Sequence, residues 1–186
     1  MQVADGDDGW TPPRGPHWSA AEAAELLREL HAAFDGLETP PAERLAKAQA
    51  SHSDEAADIV RICAGRPWYE LRPEDLLALY EFEFFISDEG FPVVIAALLH
   101  QALVAPGHPE RLRSEFANRL VELLDPEQLL ELGAGFSAET LRRIRAFPPA
   151  QLRVLRRFME LTQRQNTNPP WPESEGGRFW ASLQSD

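Results

Sequence analysis

The chain is poor in cysteine, lysine and uninterrupted apolar sequence. One cysteine, Cys63, excludes an internal disulfide and a multi-cysteine metal site. Flanked by Ile62 and Ala64, it reads as a small buried hydrophobe. One lysine, Lys47, stands against seventeen arginines, a ratio that codon bias in a GC-rich genome accounts for. The longest apolar run, residues 91–99, stops at His100-Gln101 and is far too short to cross a bilayer. The opening MQVADGDDGW is acidic and polar, where a signal peptide needs a basic and then an apolar stretch. A soluble, cytoplasmic protein with no membrane contact is expected.

Acid is what the chain has in abundance. Its 186 residues carry a formal net charge of −12, a length suited to one domain with a real core. Residues 1–90 hold 19 acids and 7 bases, whereas residues 91–186 hold 11 of each. Within the second half Arg142, Arg143, Arg145, Arg153, Arg156, Arg157 and Arg164 crowd together. The simplest expectation is that the acidic half and this basic segment dock onto one another.

Periodicity predicts an all-α fold, an irregular single-domain bundle of about six to eight helices. Residues 1–18, rich in Gly, Pro and Asp, read as a disordered arm, residues 19–165 as the helical domain, and residues 166–186 as a Pro- and Trp-containing tail. Ser19 and Glu22 form a capping box ahead of a helix whose apolar face is Ala23, Leu26, Leu27, Leu30, Ala33 and Phe34. Pro41, Ser53, Pro73 and Ser87 mark further helix starts, and Gly65 with Pro67 a stop. The helix over residues 110–124 places Arg113 among apolar neighbours, and that over 150–164 sets Leu155 and Phe158 against Arg153, Arg156, Arg157 and Arg164. Only Glu81-Phe82-Glu83-Phe84 alternates like a strand, too briefly to change the class. Trp171, Phe179 and Trp180 are anchors by which the tail returns to the domain.

The segment 68–91 is the most distinctive. Trp68, Tyr69, Tyr80, Phe82, Phe84, Phe85 and Phe91 alternate there with seven carboxylates, and Arg72 is the only cation. Aromatic anchors in a field of one sign suit docking of the opposite charge. Trp68 and Phe91, beside Gly65-Pro67 and Gly90-Pro92, are expected in the core, whereas Glu74, Glu81, Glu83 and Glu89 are expected to be solvated, since so many like charges cannot be buried together. These four are the candidate partner-binding residues.

Chemistry finds little support. Residues 129–136, LLELGAGF, resemble the glycine-rich first motif of methyltransferases, but that fold needs further strands, and the residues that follow are helical or Pro-rich. Gly133 is read instead as a helix stop and Gly135 as the turn before Ser137. Asp5-Gly6-Asp7-Asp8-Gly9 starts like a calcium loop, yet Pro16 occupies the position that needs a bidentate Glu. The five histidines show no metal or catalytic spacing, and neither a Walker loop nor a G-x-S-x-G elbow occurs. No catalytic, cofactor-binding or metal-ligating residue is assigned. The arginine face of the last long helix contains Glu160, and a chain of this net charge repels phosphate, so no nucleic acid is expected.

Three elements carry a resemblance: Ala33-Phe34-Asp35-Gly36; Gly65-Arg66-Pro67-Trp68 with Leu71; and Ser87-Asp88-Glu89-Gly90-Phe91 leading into Ala96-Ala97-Leu98-Leu99. With Phe136-Ser137 and the helix to Leu161 they resemble an uncharacterised bacterial family, a domain of unknown function with A-F-x-G, G-x-x-W-x-x-L and S-x-E-x-F elements. Val93-Val94 and Ile95-Ala96-Ala97 depart from the family's aromatic pair and Leu-Pro-Ala. The resemblance implies one bacterial cytoplasmic domain and no particular activity. The expected function is a non-enzymatic helical interaction protein, in its specific form an immunity- or antitoxin-like binder of a basic protein partner. The alternatives are a small enzyme with a carboxylate/histidine site outside known motifs, or a regulatory protein.

Overall fold

The computed structural model describes residues 18–50, 52–79, 81–104, 110–131, 133–163, 171 and 173–183. Among these the chain forms eleven α-helices: α1 (Ala20–Ala33), α2 (Ala42–Leu45), α3 (Asp54–Cys63), α4 (Pro73–Leu77), α5 (Phe82–Phe85), α6 (Phe91–Leu103), α7 (Glu110–Leu124), α8 (Pro126–Glu131), α9 (Ala134–Arg145), α10 (Pro149–Gln163) and α11 (Glu175–Ser182). Two 3-10 turns, Ala48–Ala50 and Trp68–Glu70, complete the set. The class is all-α. The count exceeds six to eight because α2, α4, α5 and α8 are pieces of four to six residues and because the tail folds as α11. The only extended pairing among the described residues is an isolated bridge between Ala46 and Ile86.

α6 is the centre because its sequence is apolar on every side. Eleven of its 13 residues are buried, as expected of a helix without a solvent face, and each Val, Ile, Leu or Phe so buried contributes about 1.5–3 kcal/mol. α1, α4, α7 and the turn at Trp68–Glu70 pack around it, and Gln101 on α6 donates to the Leu71 carbonyl at 2.9 Å. Around that shell α10 covers α1, and α8 joins α7, α9 and α11.

Local chemistry sets the helix ends. Ser19 and Glu22 form the capping box, with Ser19 N–H donating to Glu22 Oε2 at 2.8 Å and Glu22 N–H to Ser19 Oγ at 3.2 Å. Ser53 Oγ accepts from Ala56 N–H at 3.1 Å. Ser87 Oγ accepts from Gly90 N–H at 2.9 Å, holding the turn before α6. Gly90 has an ordinary φ of −75° but no room: a Cβ there would lie 2.7 Å from the Leu45 carbonyl oxygen. The close approach follows from Lys47 N–H donating to the Phe85 carbonyl at 2.8 Å and Ser87 N–H to the Leu45 carbonyl at 3.0 Å, which pin α2 to the α5–α6 corner.

Four expectations change. Residues 82–85 are a helical turn, not extended: Glu81 enters it with φ of 55°, a left-handed conformation that ends any pleat. Gly135 lies inside α9, and Gly133, at φ 110°, is the residue that makes the break between α8 and α9. Ser137 is likewise inside α9, where its hydroxyl donates to the Gly133 carbonyl at 2.9 Å rather than opening the helix. Trp18, assigned to the arm, is buried with its ring 5.6 Å from that of Phe158; the rest of the arm, Tyr80 and Arg164 fall outside the described residues. Trp180 anchors α11 as expected, its indole N–H donating to the Leu124 carbonyl at 3.1 Å.

Candidate functional site

The acids of segment 68–91 do not form one surface. Glu74, exposed on α4, meets Arg72 at 3.2 Å. Glu89, exposed before α6, accepts from Arg44 Nε at 3.0 Å. Asp75 accepts from Arg66 Nη2 at 2.8 Å and Arg72 Nε at 3.2 Å. Burial opposes its ionisation, but the hydrogen bonds from Arg72 and Arg66 prevail and hold the carboxyl at about 2.

Asp88 is taken by the basic segment. It accepts from Arg142 Nη2 at 2.7 Å and from Arg143 Nε at 2.9 Å; the Arg142 bond, against some desolvation, draws its pKa down. Arg143 belongs to the basic segment expected to dock on the acidic half, but its burial is not legible in the sequence. Its side chain is 2% exposed, and its other donors go to the Glu83 carbonyl at 3.2 Å, the Ile86 carbonyl at 2.9 Å and Glu139 Oε1 at 2.9 Å. A planar fork with all three nitrogens engaged, in four hydrogen bonds, is what allows a guanidinium into the interior. The expected mutual docking of the two halves is therefore built here, and again where Arg157 on α10 bonds Glu29 and, at 2.5 Å, Glu25 on α1. Arg156 is engaged by Glu160 at 2.6 Å, so Arg156 and Arg157, two of the four arginines expected on that face, are neutralised by protein carboxylates.

Glu83 overturns the expectation that all four candidate acids are solvated. Its side chain is 13% exposed and 3.9 Å from Arg119, and its Oε2 is buried without a hydrogen bond. Burial raises its pKa, Arg119 partly offsets this, and Glu81 and Glu122 add to the rise. Arg119 in turn donates to the Leu76 carbonyl at 3.1 Å and to the Leu79 carbonyl, capping the end of α4, and lies 4.9 Å over the Phe82 ring. Glu83 is thus a largely buried carboxylate that faces Arg119 at 3.9 Å without a hydrogen bond at its Oε2.

Beside it, Phe84 faces outward. It is 40% exposed, and its ring stacks on that of Phe136 at 4.5 Å. Exposed Leu130 closes α8 just before the turn into α9, where Gly133 N–H donates to the Leu130 carbonyl at 3.3 Å. Glu81 and Glu122 are exposed and make no ion pair among the described residues. Of the four candidate acids, only Glu81 combines exposure with an unengaged charge.

A second aromatic group lies away from these acids. His31, Trp68, Tyr69 and His100 pack together, with His31 5.0 Å from Trp68 and 5.3 Å from His100. Burial and then the neighbouring His31 lower the pKa of His100 to about 4, so its ring is neutral at physiological pH. Among the described residues no three metal-ligating side chains converge. Cys63 is buried, and desolvation pushes its thiol up to about 12, where it has no nucleophilic use. No helix of the described residues is long and apolar enough to cross a membrane. No protein-family model, curated protein or solved structure matches this chain.

Proposed function

We propose that this chain is a helical interaction protein that docks a basic segment of a partner protein across Phe84 and Phe136. The observation that carries the reading is the exposed Phe84 ring stacked on the half-buried Phe136 at 4.5 Å, three positions along the chain from Glu81, whose exposed carboxylate, like that of Glu122, makes no ion pair among the described residues. Apolar rings supply contact area and the open acids supply orientation and encounter rate. Internal pairing of Glu74, Asp75, Asp88 and Glu89 narrows the interface to this end of the segment. An immunity- or antitoxin-like role, masking a basic partner, is the finer form of the same proposal. Phe34, Trp68, Leu71 and Phe91, which carry the resemblance to the bacterial domain of unknown function, are core residues, so that resemblance bears on packing and adds nothing to the choice of partner.

The test is photocrosslinking from p-benzoylphenylalanine at position 84 in the source cells, followed by binding of the captured protein in purified form. The expected partner contacts residue 84 through a Lys/Arg-rich segment. Phe84→Ala with Glu81→Lys should weaken it at least about tenfold, since one aromatic anchor and one charge are worth roughly 1.4 kcal/mol or more. A captured partner whose affinity ignores both changes sinks the reading.

A further inference from the structure

The end of α1 and the turn at Trp68–Glu70 enclose a cleft of about 460 Å³ between residues 34–39 and 65–69, within the usual size of ligand sites. Gly36 and Gly65 turn its two walls with φ of +74° and +70°, conformations in which a side chain is strained. Rings form its inner surface. Trp68 and Tyr69 stand nearly perpendicular, 85° apart with centroids at 5.4 Å, and His31 leans against both. Trp68 is buried, while Tyr69 is 48% exposed and leaves a ring open to the cleft.

Charge in the cleft is one-sided. Asp35 and Glu38 are exposed at its edge, and neither has an ion-pair partner among the described residues. The one arginine in the lining, Arg66, is already held: it donates to Asp75 at 2.8 Å, to the Glu70 carbonyl at 2.8 Å and to the Ile62 carbonyl at 3.2 Å. The exposed Tyr69 ring, held edge to face on buried Trp68, with unpaired carboxylates at the edge, matches a planar cation. A guanidinium stacks on ring faces, is weakly hydrated and presents paired donors to carboxylates. An ammonium satisfies only the charge.

We infer that the cleft bounded by Asp35, Glu38, Trp68 and Tyr69 receives an arginine side chain presented by a partner protein, at a site separate from the Phe84–Phe136 face. The half-open shape admits a side chain from a surface, and a free amino acid would bring its own carboxylate against Asp35 and Glu38.

The experiment is titration of the ¹⁵N-labelled full chain with N-acetyl-arginine amide, following the Trp68 indole N–H and the Gly36 and Gly65 amides. Saturable shifts of all three are expected, with a midpoint in the millimolar range natural to one side chain. N-acetyl-lysine amide and free arginine should bind more weakly, and the neutral N-acetyl-citrulline amide should leave the signals in place. Asp35→Asn with Glu38→Gln should raise the midpoint about fivefold, and Tyr69→Ala about threefold. These residues are exposed, and an unchanged urea midpoint confirms that the fold is intact. The inference is overturned by equal binding of the citrulline amide, by free arginine binding as well as the blocked form, by a midpoint indifferent to the Asp35/Glu38 change, or by no shift at all. Glu81→Lys should leave this midpoint unchanged, so each site stands or fails alone.

Discussion

Trp68 and Phe91 show what a single residue does in this fold. Both are buried: Trp68 in the turn that packs on α6, and Phe91 as the first residue of α6, its ring 6.2 Å from that of Phe147. Trp68→Ala or Phe91→Ala should cost about 3–5 kcal/mol, as for other buried aromatics, read as a lower urea midpoint at unchanged slope; a loss under about 1 kcal/mol would mean that the site collapses around the gap. Buried titratable groups make stability depend on pH in two opposing ways. The native pKa of His100 lies below its ordinary value of 6.5, at about 4, so the unfolded chain binds the extra proton and stability falls as pH drops from about 6.5 toward 4. Glu83 and Asp125 are raised, chiefly by burial. For them the native state holds the extra proton, so ionisation works against the fold as pH rises above the ordinary carboxylate range. Urea midpoints from pH 4 to 8 should therefore show the acid-side loss flattened in His100→Gln and a gain at neutral pH in Glu83→Gln. Unchanged profiles in both would remove these groups from the account.

Among the elements, α5 separates surface from interior within four residues. Glu81→Lys and Glu74→Lys should change stability by less than about 0.5 kcal/mol, as exposed substitutions do. Glu89→Lys should cost up to about 1 kcal/mol through its exposed bond to Arg44. Glu83→Lys should cost about 3–5 kcal/mol, because it sets a second cation into a largely buried position against Arg119. Equal thermal shifts for all four would restore the view that they are alike. The long helices were legible in sequence because cap and stripe occur together: Ser19 with Glu22, then Leu26 and Leu30, or Leu120 with Leu124. α5 was not, because alternating Glu and Phe spells a strand while the turn it makes is decided by Glu81 and by the bonds of residues 85 and 87 to Lys47 and Leu45. Arg143 and the His31–Trp68 cleft were illegible for a different reason. Their partners lie 55 and 37 positions away in sequence, and no local period reports such a meeting. Glu83 was misread because its counter-ion, Arg119, comes from another helix.

For the whole molecule, the order of packing differs from the order of the chain. α1 packs against both α6 and α10, so the cover over its apolar stripe, which includes the buried Leu26 and Leu30, is completed only when residues 149–163 arrive. During synthesis at about 5–20 residues per second, α1 leaves the ribosome about 6 to 26 seconds before α10 can reach it. For that interval the nascent chain carries a half-uncovered leucine stripe, which is what chaperones bind and what a premature stop would make permanent. The acids of α1 that later hold Arg157 meanwhile keep this waiting helix strongly negative, and like charge on neighbouring nascent chains holds them apart on a polysome.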